Sequence, residues 1–281
     1  MKITGILYFS VVLLLFSCGA KQDERKSGKN PDNGSVPQHN THPVRIKTDG
    51  LDSLAAKMVA SGESYPNDGN TEAEERFIEA FVEALKQPKA FETDFANLKK
   101  YEIKALSSDD HNLRIFYWLS PYSGSMWHVQ NIVQYKDENN QVTAVPLNSL
   151  YEDKDDDGSP TPFFEHIYNL NTSPKKSYLL TGYGQMSGTE PYSVAHTLVI
   201  DHSKFSINQP MFNVGKAVKN QLFASAILKE DQNKEKITAQ LAITFNPQNK
   251  RISYPEINET KDGPIFNGKR NVLTFRDGMF K

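Results

Sequence analysis

The fold is decided by the segment Leu113–Tyr135, which has the sequence LRIFYWLSPYSGSMWHVQNIVQY. In its first half, bulky side chains occupy both alternating sets of positions, with Ile115 and Tyr117 in one set and Phe116 and Trp118 in the other. Successive side chains of a strand point to opposite faces of the sheet. The pattern therefore predicts a central strand buried on both sides, followed by a Ser-Gly turn and a second strand.

The same hairpin contains both tryptophans of the chain, Trp118 and Trp127, together with Tyr122. Aromatic rings of this kind offer a large contact area with a polar edge. If they lay on an outer face, they would form a platform for stacking sugars. Two interpretations therefore stay open, namely core packing, which the apolar bulk on both faces favours, and a ligand-binding platform formed by Trp118, Tyr122 and Trp127.

Alternating patterns continue on both sides of this hairpin, separated by turn-forming clusters. The predicted strands are Tyr101–Leu106, Leu113–Ser120, Trp127–Tyr135, Gln141–Val145, Phe164–Leu170, Tyr178–Tyr183, Tyr192–Asp201, Leu222–Leu228, Ile237–Phe245, Arg251–Ile257 and Val272–Phe275. Short connections favour antiparallel neighbours, because parallel pairs need long crossovers. Gly182 and Gly184 are interpreted as turn residues within this series.

Helical patterns precede the strands. Leu51–Ala60 carries an apolar stripe at helical spacing, and a second stripe follows Thr71 and ends before Pro88. Thr71 and Glu74 have the spacing of a capping box at the start of this second helix. With a further short helix near Phe91, the chain is expected to be α+β, with two or three N-terminal helices followed by a mainly antiparallel, sandwich-like or barrel-like β-meander. A single globular domain is expected over residues 50–281.

The N-terminus has the pattern of an export signal. Lys2 precedes the apolar run Ile6–Phe16, which is shorter than the roughly 20 residues that a membrane-spanning helix needs. The sequence Leu15-Phe16-Ser17-Cys18 resembles the signal of bacterial lipoproteins, and the resemblance covers residues 1–22. It implies removal of residues 1–17 and attachment of lipid to Cys18, the only cysteine.

Two further expectations concern the region after Cys18. Gly19 resembles the residue that follows the cysteine in lipoproteins sorted to the outer membrane, with either a periplasmic or a cell-surface orientation. The polar segment 18–49 contains almost nothing to bury, so we expect a disordered tether. The segment Leu113–Trp118, together with Gln134-Tyr135-Lys136, also resembles a group of uncharacterised Gram-negative envelope lipoproteins, which implies a β-rich domain and no assigned activity.

One acidic segment has the spacing of a metal site. Asp153, Asp155, Asp157 and Gly158 form a D-x-D-x-D-G pattern, which matches the first half of a calcium-binding loop. The position that requires a bidentate glutamate in an EF-hand is occupied by Phe164. The remaining interpretations are a looser calcium loop, with Asp153, Asp155 and Asp157 as ligands, and a solvated acidic turn.

Other functional classes lack support in the sequence. With 32 basic and 34 acidic residues, the net charge of −2 provides no basic field for nucleic acid. The chain has no Walker A, H-E-x-x-H, G-x-G-x-x-G or G-x-S-x-G motif, and Ser173 lacks the partner motifs of an S-x-x-K enzyme. No residue is assigned as catalytic.

The sequence therefore favours a lipid-anchored envelope protein that acts as a non-enzymatic binding or structural module. Its partner would be a glycan or another envelope protein. The alternative is a secreted hydrolase of a polysaccharide or cell-wall polymer, because the paired carboxylates of such enzymes meet only in the folded chain.

Overall fold

Three mainly antiparallel sheets and a small helical layer form the described part of the protein in a computed structural model. The structure describes residues 50–64, 71–87, 89–147, 161–170, 172, 175–230 and 232–281. These residues all belong to one compact unit, Pro43–Lys281. The helices are α1 Leu51–Ser64, α2 Glu72–Leu85 and α3 Lys234–Leu241, and the 3₁₀ helices are Ala90–Glu92 and Ala96–Tyr101. Within the described ranges, no helix combines the length and the apolar character needed to cross a membrane.

The strands are β1 Lys104–Ser107, β2 Leu113–Leu119, β3 Val129–Lys136, β4 Val142–Pro146, β5 Phe163–Asn169, β6 Lys176–Ser187, β7 Glu190–Asp201, β8 Lys204–Ile207, β9 Phe212–Val214, β10 Ala217–Lys219, β11 Gln221–Ser225, β12 Thr244–Asn246, β13 Arg251–Thr260, β14 Gly263–Arg276 and β15 Met279–Phe280. The first sheet has the order β1-β2-β3-β4, and the second has the order β11-β7-β6-β5, with β8 also paired to β7. The third sheet has the order β10-β9-β15-β14-β13-β12.

The predicted α+β class is confirmed in its coarse form, because two helices precede a mainly antiparallel β-structure. The finer expectation of one meander is met only by the first sheet. Among the described strands, β15 pairs with β9 in parallel, and β11 returns to β7 across the intervening elements. The chain therefore forms three separate sheets instead of one continuous meander.

The first sheet is buried on both faces, as the alternation in β2 predicts. Phe116 and Trp118 belong to the core that covers α1 and α2, whereas Leu113 and Ile115 belong to the core shared with the second sheet. Removing a Leu, Ile or Phe side chain from water contributes about 1.5–3 kcal/mol. Both faces of β2 therefore stabilise the packing of the layers.

The second sheet is also covered on both faces. In β6, Tyr178 and Leu180 contact the core shared with the first sheet, while Leu179 between them contacts the core shared with the third. In β7, Leu198 contacts the core shared with the first sheet, and Val199 contacts the core shared with the third. The order of packing is therefore the helices α1 and α2, then the first, second and third sheets.

The segment Ile237–Phe245 corrects a sequence prediction, because it is not one strand. Residues up to Leu241 form α3, and only the end of the segment enters β12. The side chain of Asn233 accepts a hydrogen bond from the backbone N–H of Lys236 at 2.9 Å, which caps the helix. Ile237 and Leu241 are one helical turn apart, and both pack in a small cluster with Ala224 and Ala226 of the second-sheet edge.

Glu74 is a buried anchor and not a capping residue, which corrects a second prediction. The side chain of Thr71 forms no capping bond, and Glu74 is only 2% exposed. Its Oε1 accepts a hydrogen bond from Trp118 Nε1 at 3.0 Å, and its Oε2 accepts from Ser120 Oγ at 2.9 Å and Gln130 Nε2 at 3.2 Å. Burial raises the pKa of the Glu74 carboxyl, although these donors oppose the increase. The carboxylate joins α2 to the first sheet.

Arg114 forms a second polar anchor at the other end of α2. Its guanidinium donates to Gln134 Oε1 at 3.0 Å through Nε, and to the carbonyl oxygens of Thr93 and Ala90 at 2.6 and 2.8 Å. Its centre lies 4.5 Å from the ring centroid of Phe116. Burial lowers the pKa of Arg114 to about 10. Because neutral acceptors satisfy this cation, it fixes the 3₁₀ segment against the first sheet.

We expect the replacement Glu74→Gln to remove a pH-dependent component of stability. The pKa of Glu74 is higher in the folded protein than in the unfolded chain, so the protonated carboxyl favours folding. This contribution to the free energy of unfolding is complete below the ordinary pKa of glutamate. It is lost as the pH rises through the pKa of Glu74 in the folded protein. Urea unfolding of the wild type should therefore show this loss, and Glu74→Gln should not. The amide retains an acceptor for Trp118 and can donate to Ser120.

The matched control is Glu79→Gln, which changes an exposed glutamate of the same helix. It should leave the pH profile of the unfolding free energy unchanged. An identical profile for Glu74→Gln and the wild type would contradict the role given to Glu74.

Candidate functional site

A cleft of about 460 Å³ lies between α3 and the edge of the second sheet. Its walls include Trp127 from the β2–β3 connection, Glu165 of β5, Tyr183 and Gln185 of β6, and Lys234 and Glu235 of α3. Ligand pockets usually have volumes of about 300–1,000 Å³ with apolar walls and a few polar groups. This space, called the aromatic cleft below, has a volume in that range and a wall of mixed apolar and polar groups.

Its aromatic wall is a packed cluster of half-buried rings. The ring centroid of Trp127 lies 5.7 Å from that of Phe163 and 6.3 Å from that of Tyr183. The planes of Trp127 and Tyr183 meet at 68°. Phe163 also contacts Tyr117 edge to face at 5.9 Å. Because neighbouring rings hold Trp127 and Tyr183 in place, these two residues present a fixed apolar wall to the cleft.

Gln185 holds the loop that carries Trp127. Its carbonyl oxygen accepts from the backbone N–H of Trp127 at 2.9 Å, and its Nε2 donates to the carbonyl oxygen of Ser125 at 2.8 Å. Its Oε1 accepts from Lys234 Nζ at 2.7 Å. The register of β6 and β7 shifts between Gln185 and Ser187, and such bulges redirect side chains at the ends of strands. One buried amide therefore links three walls of the cleft.

Two glycines let the backbone approach closely beside the cleft. A Cβ atom on Gly182 would lie 2.4 Å from the carbonyl oxygen of Phe163, and one on Gly184 would lie 2.3 Å from the hydroxyl of Tyr192. Both residues are within β6, so their interpretation as turn residues is wrong. Their small size allows β5 and Tyr192 to pack against β6.

Polar contacts hold the end of α3 in position. Arg270 of β14 donates to the carbonyl oxygens of Gln240 and Ala242 at 2.8 and 2.6 Å, where the last turn of the helix leaves acceptors unpaired. A cation also interacts favourably with the helix dipole there. Beyond the helix, the backbone N–H of Ile243 donates to Ser193 Oγ at 3.0 Å. These bonds stabilise α3, which is too short to be a stable helix without contacts to the rest of the protein.

The charges of the aromatic cleft are mainly acidic. Glu165 and Glu235 are both exposed, and Lys234 is engaged by Gln185. Burial raises the pKa of Tyr183, and the negative charge of Glu165 raises it further. The Glu165 carboxylate therefore contributes a negative potential at the aromatic wall.

Two further clefts among the described residues offer weaker sites. One of about 440 Å³ contains Asp109, Asp110 and Lys250 beside Phe245. The carboxylate of Asp110 already accepts from Ser108, Asn112, Asn169 and Tyr178, so it holds the turn before β2. A further depression near Val218 is wide and open. Buried Glu74 lines none of these three spaces.

The structure separates the residues of the predicted aromatic platform. Trp118 is 2% exposed and donates a hydrogen bond to Glu74, so it is a core residue. The interpretation of Trp118 as part of a surface platform is therefore wrong. Tyr122 lies outside the aromatic cleft, with its hydroxyl 2.7 Å from Ser61 Oγ. Only Trp127 of the three lines the cleft.

Several predicted sites fall outside the described residues. These are Cys18 and the acidic segment with Asp153, Asp155 and Asp157. Within the described ranges, no group of three or more His, Cys, Asp or Glu side chains is arranged to hold a metal ion.

Sequence reasoning missed most of the cleft. Glu165 has no motif, and it comes next to the cleft through a register shift between Phe164 and His166 in β5. Lys234 and Glu235 lie just before the segment Ile237–Phe245, whose prediction as a strand excluded the helix that carries them. The capping residue Asn233, followed by an acidic residue in the first turn, was the available signal for α3.

No family of known proteins, no curated protein and no solved structure matches this chain. The geometry and charges of the aromatic cleft therefore carry the functional argument.

We expect the replacement Arg270→Ala to loosen α3 while the three sheets remain folded. It removes the donors to Gln240 and Ala242, and exposed charged hydrogen bonds of this kind contribute on the order of 1 kcal/mol. Hydrogen exchange measured by mass spectrometry should accelerate in residues 234–243. Arg276→Ala, at an exposed position of the same strand, is the control and should leave exchange there unchanged. Unaltered exchange in Arg270→Ala would contradict the proposed tether.

Proposed function

We propose that the protein is a lipid-anchored envelope module that binds a glycan in the aromatic cleft. The observation that carries this proposal is the pairing of a fixed aromatic wall, Trp127 and Tyr183, with the exposed carboxylates of Glu165 and Glu235 in one cleft. A sugar ring has an apolar face that can pack on an aromatic ring and hydroxyl groups that can donate to carboxylates. The cleft offers both kinds of contact.

The packing of the cleft supports recognition by a largely preformed site. The Trp127 loop is held by Gln185, and α3 is held by Arg270 and Ser193. Preorganised groups lose little conformational entropy when a ligand binds. A sugar polymer has many hydroxyl groups that favour water, so a rigid site is needed to bind it with useful affinity.

The binding proposal is tested by fluorescence titration with N-acetylglucosamine hexamer and cellohexaose. The chain has two tryptophans, and Trp118 is buried, so a change in emission on binding should come from Trp127. We expect Trp127→Ala to weaken binding about tenfold or more in calorimetry, since losing an aromatic anchor costs 1.4 kcal/mol or more. Tyr122→Phe is the control, because Tyr122 lies outside the cleft. Equal affinities for Trp127→Ala and wild type would contradict the proposed site.

A hydrolase of a polysaccharide or cell-wall polymer is the second candidate function. It is favoured by the presence of two carboxylates, Glu165 and Glu235, in the same cleft, because glycoside cleavage uses a pair of such groups. The general acid of such a pair is usually shielded from water in an apolar pocket, whereas both residues here are exposed. Release of reducing ends that disappears in Glu165→Gln and Glu235→Gln would replace the binding proposal with this one.

The anchoring proposal rests on the lipoprotein-like segment that ends at Cys18. We expect Cys18→Ala to abolish incorporation of labelled palmitate and to release the protein from the membrane fraction, because the lipid would supply the attachment. Ser10→Ala, within the apolar run, is the control and should retain both properties. Circular dichroism should show the same fold in all three proteins. Continued membrane association of Cys18→Ala would refute lipid anchoring at this residue.

A further inference from the structure

The acidic groups of the aromatic cleft are available to a ligand. Among the described residues, neither Glu165 nor Glu235 takes part in an ion pair. The one lysine of the wall, Lys234, donates to Gln185 Oε1 at 2.7 Å. The described residues of the cleft wall therefore offer two exposed carboxylates and one ammonium group, which is already hydrogen-bonded to the protein.

The aromatic wall reinforces this charge preference. A cation within about 6 Å of an aromatic ring face is attracted by the electron density of the ring. Trp127 and Tyr183 are inclined at 68° to each other with their centroids 6.3 Å apart, so a group in the cleft can meet both rings. The influence of Glu165 also reaches Tyr117 and Tyr168, since its charge adds to the effect of burial in raising the pKa of each. Glu165 is thus close enough to this cluster for its field to act on the same space.

We infer that the aromatic cleft selects a glycan carrying protonated amines, such as a glucosamine polymer, over neutral and acidic glycans. The inference rests on the proposed function and narrows its ligand class. The apolar face of an amino sugar packs on Trp127 or Tyr183, and its ammonium group interacts with Glu165, Glu235 and the aromatic rings. A uronic acid or sulfated sugar would bring a negative charge toward the two carboxylates, and electrostatic repulsion would weaken its binding.

The test compares three hexamers, of glucosamine, N-acetylglucosamine and galacturonic acid, by Trp127 fluorescence and calorimetry. The titrations are made at about pH 5.5, which is above the ordinary pKa of glutamate and below that of amines. We expect glucosamine hexamer to bind at least about tenfold more tightly than its acetylated form. A ratio of this size is the effect expected when one ammonium group of the ligand interacts with a carboxylate of the cleft. Raising the salt concentration should reduce this ratio, because exposed charges are screened.

The double variant Glu165→Gln Glu235→Gln should lose the preference for the amine, so that it binds the glucosamine and N-acetylglucosamine hexamers with similar affinities. Both positions are exposed, so the fold should persist, and circular dichroism checks this. The control is Glu230→Gln, an exposed glutamate near α3 that does not line the cleft, and it should retain the full preference.

The outcomes separate the inference from the function on which it rests. Equal affinity for the glucosamine and N-acetylglucosamine hexamers, with both lost in Trp127→Ala, overturns the amine preference and leaves glycan binding intact. Tighter binding of galacturonic acid hexamer, or an amine preference that persists in the double variant, also overturns it. Binding of none of the three hexamers overturns both proposals.

Discussion

The structure depends on one constraint, which is that the two long strands β6 and β7 are buried on both faces. A strand of this kind has apolar side chains in both alternating sets, so a single partner layer would leave half of them in water. The first sheet covers one face through Leu180 and Leu198, and the third sheet covers the other through Leu179 and Val199. The first and third sheets are therefore required to cover the two faces of β6 and β7, and the helices α1 and α2 cover the outer face of the first sheet.

The same constraint positions the cleft. Where β6 and β7 approach their hairpin, the two-sided cover ends, and the register shift at Gln185 turns the strands. The exposed corner is then closed on one side by the Trp127 loop and on the other by α3. Both closures combine apolar packing, of Trp127 on one side and of Ile237 and Leu241 on the other, with polar contacts. The polar contacts are made by Gln185, Ser193 and Arg270. Such corners are well suited to ligands, since a rigid sheet supports loops that are free to carry binding groups.

Buried polar groups give the layers a defined alignment. Apolar packing alone has little directional preference, whereas the carboxylate of Glu74 needs Trp118, Ser120 and Gln130 in fixed positions. Arg114 sets the other end of the same interface by donating to Gln134 and to two backbone carbonyl groups. The helices are thereby fixed in register along the first sheet.

The sequence predicted those features that depend on local alternation, and it failed where contacts between distant segments decide. Two-sided burial of β2 followed from the side-chain pattern, and ten of the eleven predicted strands overlap an observed strand over half of their length or more. The first of them, Tyr101–Leu106, begins in a 3₁₀ helix and becomes a strand only at Lys104. The segment after Lys236 looked like a strand because Ile237, Leu241 and Ile243 have even spacings, but the Asn233 cap and packing against the sheet edge favour a helix. Glu74 was assigned to capping because its contact partners are more than forty residues away in the chain. Trp118 and Trp127 could not be told apart, since their roles depend on where β2 ends and how the loop meets β6.

The most direct test of the central claim is a crystal structure of the protein with glucosamine hexamer. The account predicts a sugar ring packed against Trp127 and Tyr183, with an amine directed toward Glu165 or Glu235. A hexamer bound at another surface, with the aromatic cleft empty, would contradict it.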